Sequence, residues 1–191
     1  MGNEYYVAGL QRMMKIPSPS RGGTGWGWVS QVSRDEHRKA RDAALRLLGL
    51  CDRSKKGLTE RLLRIGYSDA VAGDVADEME SLGYIDDRRY AERFASDAVN
   101  RRYAGPQMII SGLQKKGIAG EIIDDILVKV SNDYAQADIA RRALGRRLRK
   151  VSVPQDRDEI RRLSDYLRRR GFSYDIIREV LKGIEQDDYI G

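Results

Sequence analysis

The sequence predicts an all-α protein: three tandem three-helix repeats forming an elongated, curved body. Three observations carry that reading. Helix formers such as Ala, Leu, Arg, Glu and Lys dominate, while the 191 residues include only four prolines, two phenylalanines and few β-branched runs. Apolar residues recur at helical spacing from about Asp35 to Ile184. A helix-ending pattern around Gly66 returns at Gly117 and Gly171, 51 and then 54 residues later.

Residues 1–33 are assigned to a flexible N-terminal tail. Pro17-Ser18-Pro19-Ser20-Arg21-Gly22-Gly23 runs into Thr24-Gly25-Trp26-Gly27-Trp28, a density of Pro, Ser and Gly that favours mobile backbone. Tyr5, Tyr6, Leu10, Met13 and Met14 allow a short fraying helix, and Trp26 and Trp28 are available to dock on the body or on a partner.

Repeat 1 spans 34–83. Ala40, Ala44, Leu47, Leu48 and Cys51 make one helical face, which assigns Cys51 to the core rather than to reactive chemistry. Leu58, Leu62 and Ile65 mark a second helix ending at Gly66. Ala72, Val75, Ala76, Met79 and Leu82 mark a third ending at Gly83. Gly83 suits the left-handed conformation that stops a helix, and Asp86 suits the cap of the next one. Ile85 and Tyr90 then fall at the two positions of a hydrophobic staple.

Repeat 2 spans 84–132 and follows the same plan. Ala91, Phe94, Ala95 and Ala98 mark its first helix, and Gly105-Pro106 resets the chain with Pro at a helix-opening position. Ile109, Ile110 and Leu113 lead to Gly117; Ile122, Ile123, Ile126, Leu127 and Val130 follow. Repeat 3 spans 133–186, with Ala140, Leu144, Leu148 and Val151, a break at Pro154, then Ile160, Leu163 and Leu167 up to Gly171. Ile176, Ile177, Val180, Leu181 and Ile184 form the last face, and 187–191 is an acidic end.

The repeat is exact at several offsets. Four positions before each glycine stands Leu62, Leu113 or Leu167; one after stands Tyr67, Ile118 or Phe172. Five and nine after come Val71 and Val75, Ile122 and Ile126, Ile176 and Val180. With Ser68, Ala119 and Ser173 as caps, Tyr67–Ala72, Ile118–Ile123 and Phe172–Ile177 fall at staple positions. Units this small bury little surface alone, so stacked units are expected to share core at their joints.

Charge is uneven. Residues 1–140 carry 21 basic and 20 acidic side chains, whereas 141–182 carry 14 basic and 6 acidic, a local excess of +8. Arg142, Arg146 and Arg149 recur at i, i+4 and i+7. Arg161 and Arg168, and Arg162 and Arg169, stand one heptad apart, and Arg168-Arg169-Arg170 closes a helix. Arg101 and Arg102 beside Tyr103 form a smaller patch. These arginines are either a solvated face with dipole-matched ends or a phosphate-contacting surface without sequence preference; the local excess favours the second.

Other chemistry is sparse. The single Cys51 and absence of a secretory segment or of roughly 20 consecutive apolar residues imply a reduced, cytoplasmic chain with no membrane span. His37, alone in a charged run, reads as a solvated residue, and one His beside one Cys offers neither metal site nor nucleophile–base pair. No GxxxxGK[ST] loop occurs. Asp86-Asp87 reads as a cap and a solvated neighbour, and Asp124-Asp125 as surface. No enzyme activity and no cofactor are expected.

The stretch GYIDDRRYAERF at 83–94, followed by Gly105-Pro106 and Leu113-Gln114-Lys115-Lys116-Gly117-Ile118, resembles the RecX regulatory proteins of bacteria, as does Ala44-Leu45-Arg46-Leu47-Leu48. The likeness covers about 36–184. It implies three tandem three-helix repeats, in agreement with the periodicity. It also implies a monomeric regulator that binds along the RecA recombinase filament, usually inhibits recombinase and coprotease activity, and binds single- and double-stranded DNA non-specifically. DNA repair, recombination and the SOS response are the processes it points to. The alternative is a stand-alone DNA-binding protein of helix-turn-helix-like units, although no repeat offers the Asn/Gln/Arg mix of a base-reading helix.

Overall fold

The computed structural model describes residues 26–148 and 157–187, with side chains described from Arg34 to Leu148 and from Arg157 to Gly183. Among the described residues there are nine helices and no strand. Unit 1 contains α1 (Trp26–Leu50), α2 (Lys55–Ile65) and α3 (Asp69–Ser81). Unit 2 contains α4 (Asp87–Arg102), α5 (Pro106–Lys115) and α6 (Gly120–Asp133). Unit 3 contains α7 (Gln136–Leu148), α8 (Arg157–Arg169) and α9 (Tyr174–Asp187). Arg149, Val151, Pro154 and residues 188–191 lie outside the described residues, as does the proposed tail up to residue 25.

α1 starts at Trp26, eight residues inside the stretch assigned to the tail. The Pro, Ser and Gly density that suggested a tail ends at Gly27; Val29-Ser30-Gln31-Val32-Ser33 contains neither Pro nor Gly to stop a helix.

The recurring offsets have a hydrogen-bonded cause. Gly66, Gly117 and Gly171 adopt φ of 111°, 76° and 85°, the left-handed turn that ends a helix. The N–H of the apolar residue after each glycine donates to the carbonyl of the leucine four before it: Tyr67 to Leu62 at 3.3 Å, Ile118 to Leu113 at 3.1 Å and Phe172 to Leu167 at 3.3 Å. This pattern joins both residues in one turn and brings their side chains to the same side, which is why both positions are apolar in every unit. At the first unit boundary Gly83 takes φ 75°, and the Asp86 carboxylate accepts from the Arg89 N–H at 2.9 Å, capping α4 as its sequence position predicts.

Helix pairs in extensive contact all lie within a unit. The cores do not follow the unit count, however. One buried cluster belongs to unit 1 alone and runs from Ala40 to Ile85; the other joins units 2 and 3, from Ala91 to Leu181. The expected core sharing therefore holds at the second joint and fails at the first. Ile85 is buried in the first cluster, whereas Tyr90 packs half-buried on the second and stacks on Phe94, so the expected Ile85–Tyr90 staple instead anchors the chain in two cores.

Two further expectations are corrected. Cys51 is exposed, as it follows α1 in a bend that carries it off the apolar face. Ile65 and Leu82, each at the end of a helix, are 48% and 52% exposed, because the last turn has run past the neighbouring helix.

The middle helices α2, α5 and α8 meet end to end. Ser54 and Gly105 both stand twelve residues before their unit's terminal glycine. The Ser54 hydroxyl donates to the Lys116 carbonyl at 2.8 Å and accepts from the Gly57 N–H at 3.1 Å, and it is 1% exposed. At the equivalent place in the next joint the Gly105 N–H donates to the Arg170 carbonyl at 2.7 Å, and the Gln107 N–H to the Gly171 carbonyl at 3.2 Å. The second joint thus meets N–H groups at one helix start with carbonyls at another helix end directly, and the first does so through the Ser54 hydroxyl.

Asp87 is not the solvated neighbour its sequence position suggested. Its carboxylate accepts from the Lys55 N–H at 2.9 Å, so a residue of unit 2 caps α2 of unit 1. Burial pushes its pKa up from the ordinary carboxylate value. The same joint holds an Arg93–Asp52 ion pair, and the Lys55 amine sits 2.7 Å from Asp77 and 2.6 Å from Glu80. A surface this polar explains why the two cores stay separate there.

Candidate nucleic-acid and filament interface

The second joint brings together two helix ends that are both rich in arginine. Arg101 and Arg102 lie in the last turn of α4, and Arg168 and Arg169 in the last turn of α8, where the helix dipole favours cations. The Gly105–Arg170 and Gln107–Gly171 bonds carry the end of α8 to the start of α5. The result is a cleft of about 410 Å³ lined by Arg102, Lys115, Arg168 and Arg169, with Phe94 and Met108 among its apolar walls. No Asp or Glu lines it.

The other arginines are deployed differently. Arg146 approaches the Arg101 carbonyl at 3.5 Å and the Tyr103 ring at 6.0 Å, so it ties α7 to the end of α4. Tyr103 itself ends α4 with φ 51°, a left-handed position no glycine marked. Arg170 lies 4.7 Å over the Tyr166 ring of α8, and the Tyr166 hydroxyl donates to the Ala143 carbonyl of α7 at 3.3 Å, so this guanidinium backs the tyrosine that ties α8 to α7. Arg101 pairs with Asp97 at 3.3 Å and Arg168 with Asp165 at 3.0 Å.

Among the described residues, Arg102, Arg142, Arg161, Arg162 and Arg169 are exposed and make no ion pair or hydrogen bond through their guanidinium groups. Arg142, Arg161 and Arg162 do not line the cleft, and Arg149 is not described. Lys115 was missed as a site residue. Its only sequence signal was its place in the Gln114-Lys115-Lys116-Gly117 helix end, and the cleft arises only when unit 3 docks.

Elsewhere His37 is half-exposed and 3.9 Å from Glu78. Asp124 and Asp125 are exposed as expected, with Asp125 2.7 Å from Arg88. Among the described residues no helix is long and apolar enough to cross a membrane, and no three His, Cys, Asp or Glu side chains gather as metal ligands would.

Three family models match in sequence: the first, second and third three-helix domains of RecX, at residues 40–79, 86–127 and 134–181. Regulatory protein RecX of Halorhodospira halophila (strain DSM 244 / SL1) is 35% identical over 152 residues, covering 79% of this chain and 91% of its own. That of Chlorobium phaeobacteroides (strain BS1) is 33% identical, covering 78% and 95%. The crystal structure of RecX from Lactobacillus salivarius superposes with a TM-score of 0.67 at 25% identity, over 80% of this chain and 99% of that one. A second RecX crystal structure gives a TM-score of 0.72 at 21% identity, a likeness of fold. Three matched domains in the order of the three helical units, and relatives of this identity along their length, place the chain in the RecX family of regulatory proteins.

Proposed function

We propose that this chain regulates the RecA recombinase in the cytoplasm by binding along the RecA–DNA filament, and that its effect on recombinase activity is inhibitory. Membership of the RecX family supports the regulatory part. The observation that carries the filament part is the gathering of unpaired cations at the joint of units 2 and 3, in a cleft that no carboxylate lines. Units joined in series make a multi-site surface suited to a repeating partner. Exposed arginines without acidic neighbours suit phosphates, whose contacts are strong, salt-sensitive and indifferent to sequence.

A pull-down with purified RecA, with and without single-stranded DNA, tests the reading. The chain is expected to be captured far better by RecA–DNA filaments than by RecA or DNA alone, and to slow strand exchange when added to them. Capture by bare duplex equal to capture by filament would instead make the chain a stand-alone DNA-binding protein.

A further inference from the structure

We propose that the cleft between units 2 and 3 is a binding site for one phosphate of a single-stranded nucleic acid, bracketed by Arg102 and Lys115 from unit 2 and Arg168 and Arg169 from unit 3. The assignment rests on the filament reading for its biological partner, but the contact itself is measurable without RecA.

The helix dipole favours a cation at each of these helix ends, but it does not call for four of them around one cleft. Arg102, Lys115 and Arg169 pair with nothing among the described residues, and Arg168 has only the exposed contact to Asp165 on its own helix. A pair of that kind contributes little and yields readily to a better anion. Four like charges around one concave surface repel one another, and beyond the Arg168–Asp165 pair no acid lines the cleft to offset them.

The geometry favours a phosphodiester over a carboxylate. Three of the four groups are arginines, whose planar forks match phosphate oxygens in pairs. The walls include Phe94 and Met108, and Gly112 leaves room for the Phe94 ring: a β-carbon there would stand 2.4 Å from it. An apolar wall beside a cationic rim is the arrangement that accepts a base next to its phosphate. A volume of about 410 Å³ leaves room for one nucleotide at the cationic rim. Because the cations come from both units, an occupied cleft also clamps the joint.

Binding of the full chain to fluorescent oligo-dT, followed by anisotropy across a salt titration, tests the proposal. Arg102→Gln with Arg169→Gln is expected to weaken binding at least about tenfold at low salt and to flatten the log–log salt dependence by about 0.7, one single-strand phosphate contact's worth. Ser111→Asp, which sets a carboxylate in the cleft at an exposed position of α5, is expected to act in the same direction. Arg61→Gln with Arg64→Gln, exposed on α2 of unit 1, serves as the charge-matched control and is expected to change affinity less than twofold. Circular dichroism reports whether each variant is folded.

Unchanged affinity and salt slope in both cleft variants, or equal losses in the control, overturn the assignment. So does a poly-glutamate peptide that displaces oligo-dT from the cleft at lower concentration than unlabelled oligo-dT does. RecA is absent from this assay, so these results leave the filament reading to the pull-down.

Discussion

Replacing Gly171 by alanine perturbs the second joint most directly. A β-carbon there would stand 2.3 Å from the Met108 nitrogen and 3.0 Å from Met108 Cβ, in a backbone held at φ 85°. Two costs then add: roughly 1–2 kcal/mol for a left-handed alanine, and about 1–3 kcal/mol for overpacking against backbone that moves only if unit 3 moves. The companion glycines separate them. Gly66→Ala meets open space at φ 111° and carries the conformational cost alone, about 1–2 kcal/mol. Gly105→Ala, at φ −81°, carries the steric cost alone, since its β-carbon would stand 2.5 Å from the Gly171 oxygen. Gly171→Ala is therefore expected to cost about 2–5 kcal/mol by the sum of those two ranges. The double variant Gly105→Ala/Gly171→Ala should cost less than the sum of the singles, because a joint opened once is not opened twice. Urea unfolding gives the totals, and hydrogen exchange assigns them by unit, since two separate cores do not guarantee one transition. A Gly171→Ala protein no less stable than Gly66→Ala would refute the end-to-end joint.

Asp87 sets the pH response of the first joint. Its pKa is raised in the folded state, so this group stabilises the fold most below the ordinary carboxylate value and loses that contribution as pH rises through the raised one. Asp87→Asn keeps an oxygen for the Lys55 N–H without the buried charge and is expected to leave Tm at pH 7 unchanged or higher. Asp87→Ala orphans that N–H and should lower stability by about 1–3 kcal/mol, and Tm with it; equal effects of the two substitutions would contradict the capping role. Met79→Ala, at a fully buried position of the first cluster, is expected to cost about 2–5 kcal/mol. Its exchange protection should fall across unit 1 and persist in units 2 and 3; a uniform fall would mean one cooperative body. Arg102→Gln/Arg169→Gln relieves repulsion among the cleft cations but gives up two dipole-matched helix ends, at about 0.3–1 kcal/mol each, so Tm is expected to shift by no more than a few degrees while oligo-dT binding falls.

The unit plan was legible because it is written in local chemistry. The glycine, the leucine before it and the apolar residue after it are partners in one turn, so their spacing shows in the chain. The joints were not legible for the complementary reason. Ser54 is an ordinary cap residue type and Asp87 reads by sequence as a solvated neighbour of one, and only the arrival of α5 and α4 at the start of α2 turns them into contacts between units. The same holds for the cleft. Sequence counting found the late arginine excess and the Arg101-Arg102 pair separately, but it had no means of bringing Arg102 to Arg169 or of adding Lys115. It also grouped Arg170 with its neighbours, although a single helical step turns that guanidinium onto Tyr166. Helix ends misled it in the other direction. Periodicity carried Ile65, Leu82 and Cys51 onto apolar faces that had already run out.

The two kinds of joint bear on how such a chain meets a long partner. Cations that must converge on one phosphate need fixed positions, because each freely moving arginine loses rotamer freedom on binding. The paired units supply them: a shared core and backbone hydrogen bonds between Gly105, Gln107 and the end of α8 hold both arginine-bearing turns in register. Unit 1 is attached by a serine, an aspartate cap and an ion pair, none of which draws on either core. Polar contacts of that sort exchange with water at small net cost, whereas units 2 and 3 share one apolar cluster that parting them would break. A repeating partner whose spacing differs slightly from that of the units would therefore be accommodated at the first joint, while the second keeps its charges aligned.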